Sequence, residues 1–393
     1  MTAASVDRSG LPFTAAELAG RVARTRDLMR ERGLEALLVF APHNYYYLTG
    51  FQSGLSHSLT TLVLPLHGKT AWIVRKTELS NVRALPGDDG PVDAHGVADD
   101  EDYIEVLARV LASMRLDRGH LGIDMNALYF NVAHERKLRA SLPGAHLEDG
   151  SLLVEKIRMQ KSETELAYLR RAGALSALAL KAGFAALVEG MTDTDLAVTL
   201  MSTAFKAGSE RMGMLPFVAS GPRTAQAHAT WIGRPIGRNE VINAELAAAV
   251  ERYHVPVFRV ASIGPPPAEI ARMHDASQAA LHAGLERIRA GMTSGEADAT
   301  MRRPIERAGY GDQFVVRGAY SIGIGFAPSW GEGNTLAAIK PGSADILLPG
   351  MTFHLVPALY QDGVGCVCCS MPVAITETGV EALAPIEAKL FIA

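Results

Sequence analysis

Three cysteines are few for 393 residues, and all of them fall between Cys366 and Cys369. Bridges between such close neighbours cannot staple a chain of this size, so a disulfide framework is excluded. Positive charge is not in excess: 38 Lys and Arg stand against 42 Asp and Glu, a net charge of -4. A surface without a basic surplus does not neutralise a phosphate backbone, and nucleic acid is not an expected partner. Nor is a membrane, since the longest apolar stretch, Ala172 to Val188, is interrupted by Lys181. The first ten residues carry Asp7 and Arg8 where a secretory signal needs an apolar run, so a cytoplasmic location is expected. Aromatics are sparse at 6%, yet 48% of residues are hydrophobic and 20% charged. With mean hydropathy of +0.10, this is the composition of a globular protein with a sizeable core. A single core stops growing before this length, so two domains are expected.

The early part of the chain alternates helix and strand signals. Thr14 and Glu17 read as a capping box, opening a helix whose apolar stripe runs through Leu18, Val22 and Met29 to a stop at Gly33. Strands are predicted at 37–40, 60–66, 70–74 and 121–123, and helices at 103–114 and 133–140, which makes residues 1–152 an α/β domain. Ser162 and Glu165 form a second capping box, so a second domain is expected over 153–393. Within it Gly190-Met191-Thr192 and Gly291-Met292-Thr293 each follow a long Ala-rich helix and start another. The helix, cap and helix thus recur at an offset of 101 residues (291 minus 190). Two copies are too few for a solenoid, so the duplication predicts a pseudo-twofold α/β unit whose halves meet around one site.

Four stretches in this second domain are too rich in Gly, His, Arg and aromatics to be plain connectors. They are Ser220-Gly221-Pro222-Arg223 through His228, Asn243-Ala244-Glu245 through Arg259, Tyr320 through Phe326, and Leu348-Pro349-Gly350-Met351-Thr352-Phe353-His354. Together with Tyr46-Tyr47-Leu48-Thr49-Gly50 they resemble the pita-bread (M24, creatinase/prolidase-like) family. The resemblance implies an amino-terminal creatinase-like domain followed by a pita-bread α+β domain with pseudo-twofold duplication.

In the metallopeptidase branch of that family two aspartates, a histidine and two glutamates hold a metal pair. The resemblance puts those positions here at Glu245, Pro256, Ile322, Val356 and at or near Ser370. Pro, Ile and Val side chains offer a metal no lone pair, so no metal and no other cofactor is expected. The segments around Glu245, His254, Ile322 and His354 look most like the metal-free creatinase and ectoine hydrolase branch, which hydrolyses C–N bonds of small amidine-type substrates.

Metal-free hydrolysis needs a group that deprotonates water and protonates the leaving nitrogen, and an anion to hold a cationic substrate. Histidine suits the first role because both of its protonation states are accessible at neutral pH. His228 sits where the resemblance places a general acid/base; the bland alternative is a packed or surface histidine. Glu245 lies on an apolar strand, 241–250, as a substrate anion or as half of an ion pair with Arg252 or Arg259. His254 points into the vacated metal site or is a core histidine satisfied by backbone. Arg317 suits a substrate carboxylate or is a solvated arginine. Tyr320, Trp231, Phe326, Trp330 and His354 complete the expected substrate wall, the aromatics by cation–π contact or as core. Cys366, Cys368 and Ser370 read as one face of a strand, where a thiolate nucleophile is conceivable but a tetrahedral zinc site is not.

The resulting expectation is a metal-independent hydrolase of a C–N bond in a small polar substrate, with His228 as general acid/base and Glu245 as its electrostatic partner. A homodimer is what the resemblance implies. Two other readings stay open: a repurposed biosynthetic enzyme catalysing elimination, cyclisation or isomerisation, and a catalytically silent ligand-binding protein.

Overall fold

The computed structural model describes residues 11–55, 58–85, 92–332 and 337–393. The charged start of the chain, residues 1–10, lies outside them. Two compact units divide after Arg158. The sequence-based boundary at 152/153 falls six residues earlier, because the short helix Leu153–Arg158 packs on the first two helices of the amino-terminal unit.

That unit runs α1 (Ala15–Glu31), β1 (Ala36–Val39), α2 (Pro42–Thr49), β2 (Thr61–Pro65), β3 (Ala71–Arg75), α3 (Leu79–Arg83), β4 (Asp93–Val97), α4 (Tyr103–Ser113), β5 (His120–Ile123), α5 (Val132–Ser141), β6 (His146–Asp149) and α6 (Leu153–Arg158). Thr14 caps α1 by accepting from the Glu17 amide, and the Glu17 carboxylate accepts from Arg21 at 2.8 Å. The six strands form one mixed sheet in the order β4-β3-β2-β1-β5-β6. β1 pairs antiparallel with β2 and parallel with β5, which leaves β6 at an edge. Central strands buried along their whole length, such as β1 and β2, explain the continuous apolar runs at 37–40 and 60–66.

The second unit contains α7 (Glu163–Ala185), α8 (Asp193–Lys206), β7 (Phe217–Ser220), β8 (Ile242–Val250), β9 (Tyr253–Ser262), α9 (Ala268–Arg287), α10 (Ser294–Arg307), β10 (Ala319–Ser321), β11 (Ala338–Ile339), β12 (Thr352–Leu355), β13 (Leu359–Gln361), β14 (Gly365–Val367), β15 (Met371–Ile375), β16 (Val380–Ala382) and β17 (Phe391–Ile392). The predicted duplication is present bond for bond. Thr192 and Thr293 each cap the following helix through a reciprocal box with Asp195 and Glu296. Gly190 and Gly291 share φ of 84°, a left-handed conformation that Gly adopts without Cβ strain. Each of these glycines donates its N–H to a carbonyl at 2.9 Å, Ile236 in the first half and Leu347 in the second. α7 and α8 accompany the sheet β17-β9-β8-β7, and α9 and α10 accompany β11-β10-β12-β15-β16. One large core joins the halves, drawing on α7 to α10 and on both sheets. Among the described residues no helix is long and apolar enough to cross a membrane.

Candidate functional site

A cavity of about 880 Å³ opens within the second unit. Its walls come from both halves: Phe217, His228, Asn243, Glu245 and Phe258 from the first, and Arg317, Tyr320, Trp330, Val356, Tyr360 and Cys366 from the second. Strand alternation explains the first group, because Asn243 and Glu245 are two apart on β8 and share a face. Register supplies Phe258, which lies opposite Glu245 on β9.

Among the described residues Glu245 is the one carboxylate on the wall. Its side chain is only 12% exposed, and burial alone pushes its carboxyl up to about 8. Neither Arg252 nor Arg259 neutralises it: Arg252 bonds the carbonyls of Gly325 and Arg211, and Arg259 bonds those of Phe258, Ser370, Ile386 and Glu387. The ion-pair alternative for Glu245 therefore does not hold. Asn243, 7% exposed, donates from Nδ2 to the Cys366 carbonyl at 3.0 Å, while its Oδ1 has no partner among the described residues. A buried acceptor left open on a cavity wall is available to a donor from a ligand.

Behind the wall a directed chain of hydrogen bonds fixes Tyr320. Trp330 Nε1 donates to the Tyr320 hydroxyl at 3.0 Å, so that hydroxyl spends its own proton on His354 Nδ1 at 2.9 Å. The other ring nitrogen, Nε2, then donates to Ser370 Oγ at 2.6 Å, and Ser370 Oγ also accepts from the Phe258 amide at 2.8 Å. The network thus assigns His354 as the neutral Nε2–H tautomer. Burial, helped by Arg259, lowers its basicity to about 3, which keeps it neutral. Tyr320 moves well up, from burial first and the nearby Glu245 second.

Five of the nine residues expected to bind or act on substrate line the cavity, namely His228, Glu245, Arg317, Tyr320 and Trp330. His228 sits exposed at the rim in a left-handed turn (φ 57°), its ring 5.2 Å from Phe217. Arg317 lies 5.3 Å over the Tyr320 ring. His354 is fully buried behind Tyr320 and does not reach the cavity surface.

Beside that of His354, three further expectations are corrected. His254 does not point into the site: its Nε2 accepts from the Gly213 amide and its Nδ1 bonds the Arg252 carbonyl, both at 2.8 Å, so it is a core histidine satisfied by backbone. It shares a strand face with Phe258 but stands four residues, roughly 13 Å, further along β9. Phe326 is 1% exposed beneath the Arg252 guanidinium, 4.6 Å from its ring centre, and Trp231 packs half-buried on the core. Neither reaches the cavity. The cysteines do not share one strand either, since β14 ends at Val367 and β15 begins at Met371. Cys366 and Cys368 join a small cluster with Phe258 while Cys369 joins the main core, and burial pushes all three thiols up, away from thiolate character.

Sequence reasoning missed Asn243, Phe217, Phe258 and Tyr360 as wall residues and Ser370 as the anchor of His354. The i, i+2 spacing of Asn243 and Glu245 could have revealed the first. The others depend on register and on the irregular connection between β14 and β15.

The donor set does not fit a metal pair. Of the five positions the resemblance assigns, only Glu245 presents a carboxylate. Pro256 and Ile322 are apolar and buried, Val356 is apolar, and Ser370 Oγ is committed to His354 and Phe258.

Fold and sequence together define the class. Residues 167–377 match metallopeptidase family M24 and residues 21–160 match the creatinase/prolidase N-terminal domain. The chain belongs to metallopeptidase family M24. It is 28% identical to the ectoine hydrolase of Halomonas elongata, the match covering 97% of this chain and 98% of that protein. An uncharacterised hydrolase/peptidase of Sinorhizobium fredii is also 28% identical, over 97% of this chain and 99% of its own length. Among solved structures, a prolidase from Thermococcus sibiricus superposes with a TM-score of 0.86 at 23% identity, covering 97% of this chain and 100% of that one. Dipeptidase PepE from Mycobacterium ulcerans does so at 0.82 and 24%, covering 98% and 99%. Identities this low show the shared fold.

Proposed function

We propose that the protein is a hydrolase acting on a C–N bond of a small polar substrate, amidine or amide in type, without a metal pair. The observation that carries this reading is the state of the old ligand positions: one carboxyl, Glu245, survives on a large intact cavity while the other four have become Pro256, Ile322, Val356 and Ser370. The similarity to an ectoine hydrolase over nearly the whole chain supports it. His228, at the rim, takes a proton from water and returns it to the leaving nitrogen. Glu245, held at about 8 by burial, is the partner of a substrate N–H group, and the open Oδ1 of Asn243 accepts a second N–H from the same ligand. An amidinium presents two such donors in one plane, which is why its class fits this face. A cytoplasmic homodimer is part of the proposal, and a monomeric mass in solution would remove the dimer.

The test is mass spectrometry of the purified protein incubated with small amidines, guanidino acids, N-acyl amino acids and their cyclic relatives, with and without chelator. The expected product is one water heavier than its substrate, or the two fragments of that adduct, insensitive to chelator and lost in His228→Asn. A product of equal mass, or one lighter by water, overturns hydrolysis in favour of a biosynthetic isomerase or lyase. Binding without any product favours the silent binding protein.

A further inference from the structure

We infer that the edge of the amino-terminal sheet carries an independent metal site: His120, His146 and Glu148 form a three-ligand cradle for a divalent ion of the zinc class. Strand pairing builds it. β5 and β6 run parallel with His120 beside His146 and Gly122 beside Glu148. Side chains alternate along a strand, so His146 and Glu148 leave β6 on one face while Leu147, between them, is buried in the core. One ligand atom from each residue lies within 4.8 Å of the other two. A tetrahedral ion bound at about 2.0–2.2 Å needs donors roughly 3.3 Å apart.

Two features go beyond proximity. First, the groups that orient metal ligands are in place. His120 Nδ1 lies 3.1 Å from the Gly33 carbonyl, which leaves Nε2 facing the cradle. Arg32 Nη2 holds Glu148 Oε1 at 2.5 Å and leaves Oε2 on the same side. Contacts of this kind fix the imidazole tautomer and the carboxylate before an ion arrives. Second, His146 is exposed, its ring 4.5 Å from that of His120, and among the described residues no hydrogen-bond partner engages its nitrogens. Two imidazoles and one carboxylate are a zinc-type donor set, and the exposed side leaves room for water as the fourth ligand.

The 2.8 Å contact between His120 Nε2 and Glu148 Oε2 is the pair that the ion would enter. The bound ion ties the edge strand β6 to β5, so it protects a strand that otherwise has an unpaired side. None of the three residues belongs to the cavity of the second unit, and the site does not depend on the proposed hydrolysis.

The experiment uses the full chain, free of any affinity tag, stripped with chelator and titrated with Zn²⁺ or Co²⁺. One ion per chain is expected, with the visible absorption of tetrahedral cobalt and a rise in melting temperature. His146→Ala and Glu148→Gln should each weaken binding about tenfold or more. His146→Ala should melt like the wild type in the absence of metal, because its side chain is exposed. Failure of the wild type to bind either ion, or binding by His146→Ala as tight as the wild type's, overturns the site.

Discussion

His354 Nδ1 stands 3.8 Å from Glu245 Oε1 and 2.9 Å from the Tyr320 hydroxyl, and the shorter contact takes the nitrogen's lone pair. Glu245 is left with a histidine for a neighbour that gives it no proton and no charge. Its carboxyl therefore answers to burial alone, and to whatever enters the cavity.

That isolation sets a pH dependence. With its carboxyl at about 8, Glu245 is mostly protonated at neutral pH and ionises as pH rises through 8. For a cationic substrate kcat/KM should climb towards pH 8 and flatten above it, since only the anion attracts the charge. Glu245→Gln should erase that step. A pH–rate profile that keeps the step in Glu245→Gln would assign it to another group.

Stability should move in the opposite sense. The Glu245 carboxyl is raised from about 4.5 to about 8 on folding, so nothing is lost below pH 4.5. The folded state is progressively disfavoured between 4.5 and 8, by at most about 5 kcal/mol above that range. Glu245→Gln should therefore unfold at higher urea than the wild type at pH 8 and at nearly the same urea at pH 4.5.

His228→Asn should lower kcat by about 10²–10⁴-fold, the usual range for loss of a general acid/base. Asn tolerates the left-handed backbone found at this position, and the side chain is exposed, so melting temperature should hold. Equal turnover in the variant would remove His228 from the mechanism.

Ser370→Ala removes the acceptor of both His354 Nε2–H and the Phe258 amide in a fully buried place. Two orphaned donors should cost about 2–4 kcal/mol in urea unfolding. With Tyr320 no longer anchored through His354, KM should rise more than kcat falls.

Much of the fold was legible because it is written in local chemistry. The caps at Thr192 and Thr293, with Gly190 and Gly291 before them, announce the duplication without any long-range information. Wall residues His228, Glu245 and Trp330 carried motif or burial signals of their own. His254 was misplaced because alternation tells which face a residue occupies and not how far along the strand the cavity extends. What holds it away is close approach: a Cβ on Gly213 would lie 2.2 Å from the Ser329 carbonyl oxygen, and one on Gly325 would lie 2.6 Å from His254 Nδ1. Such packing is invisible to spacing rules. Ser370 was invisible for a similar reason, since its role depends on the irregular segment 368–370 between β14 and β15 that brings it under Phe258.

Arg259 carries one further consequence. Its guanidinium is fully buried, and the hydrogen bonds it makes run to backbone carbonyls of Phe258, Ser370, Ile386 and Glu387. Dissolved ions screen exposed pairs such as Arg170 and Glu381 within a Debye length of about 10 Å at 0.1 M salt, but they do not reach a cation sealed in the interior. The hold of Arg259 on His354 is therefore independent of ionic strength, and the proton order of the chain from Trp330 to Ser370 should be the same in dilute buffer as in brine.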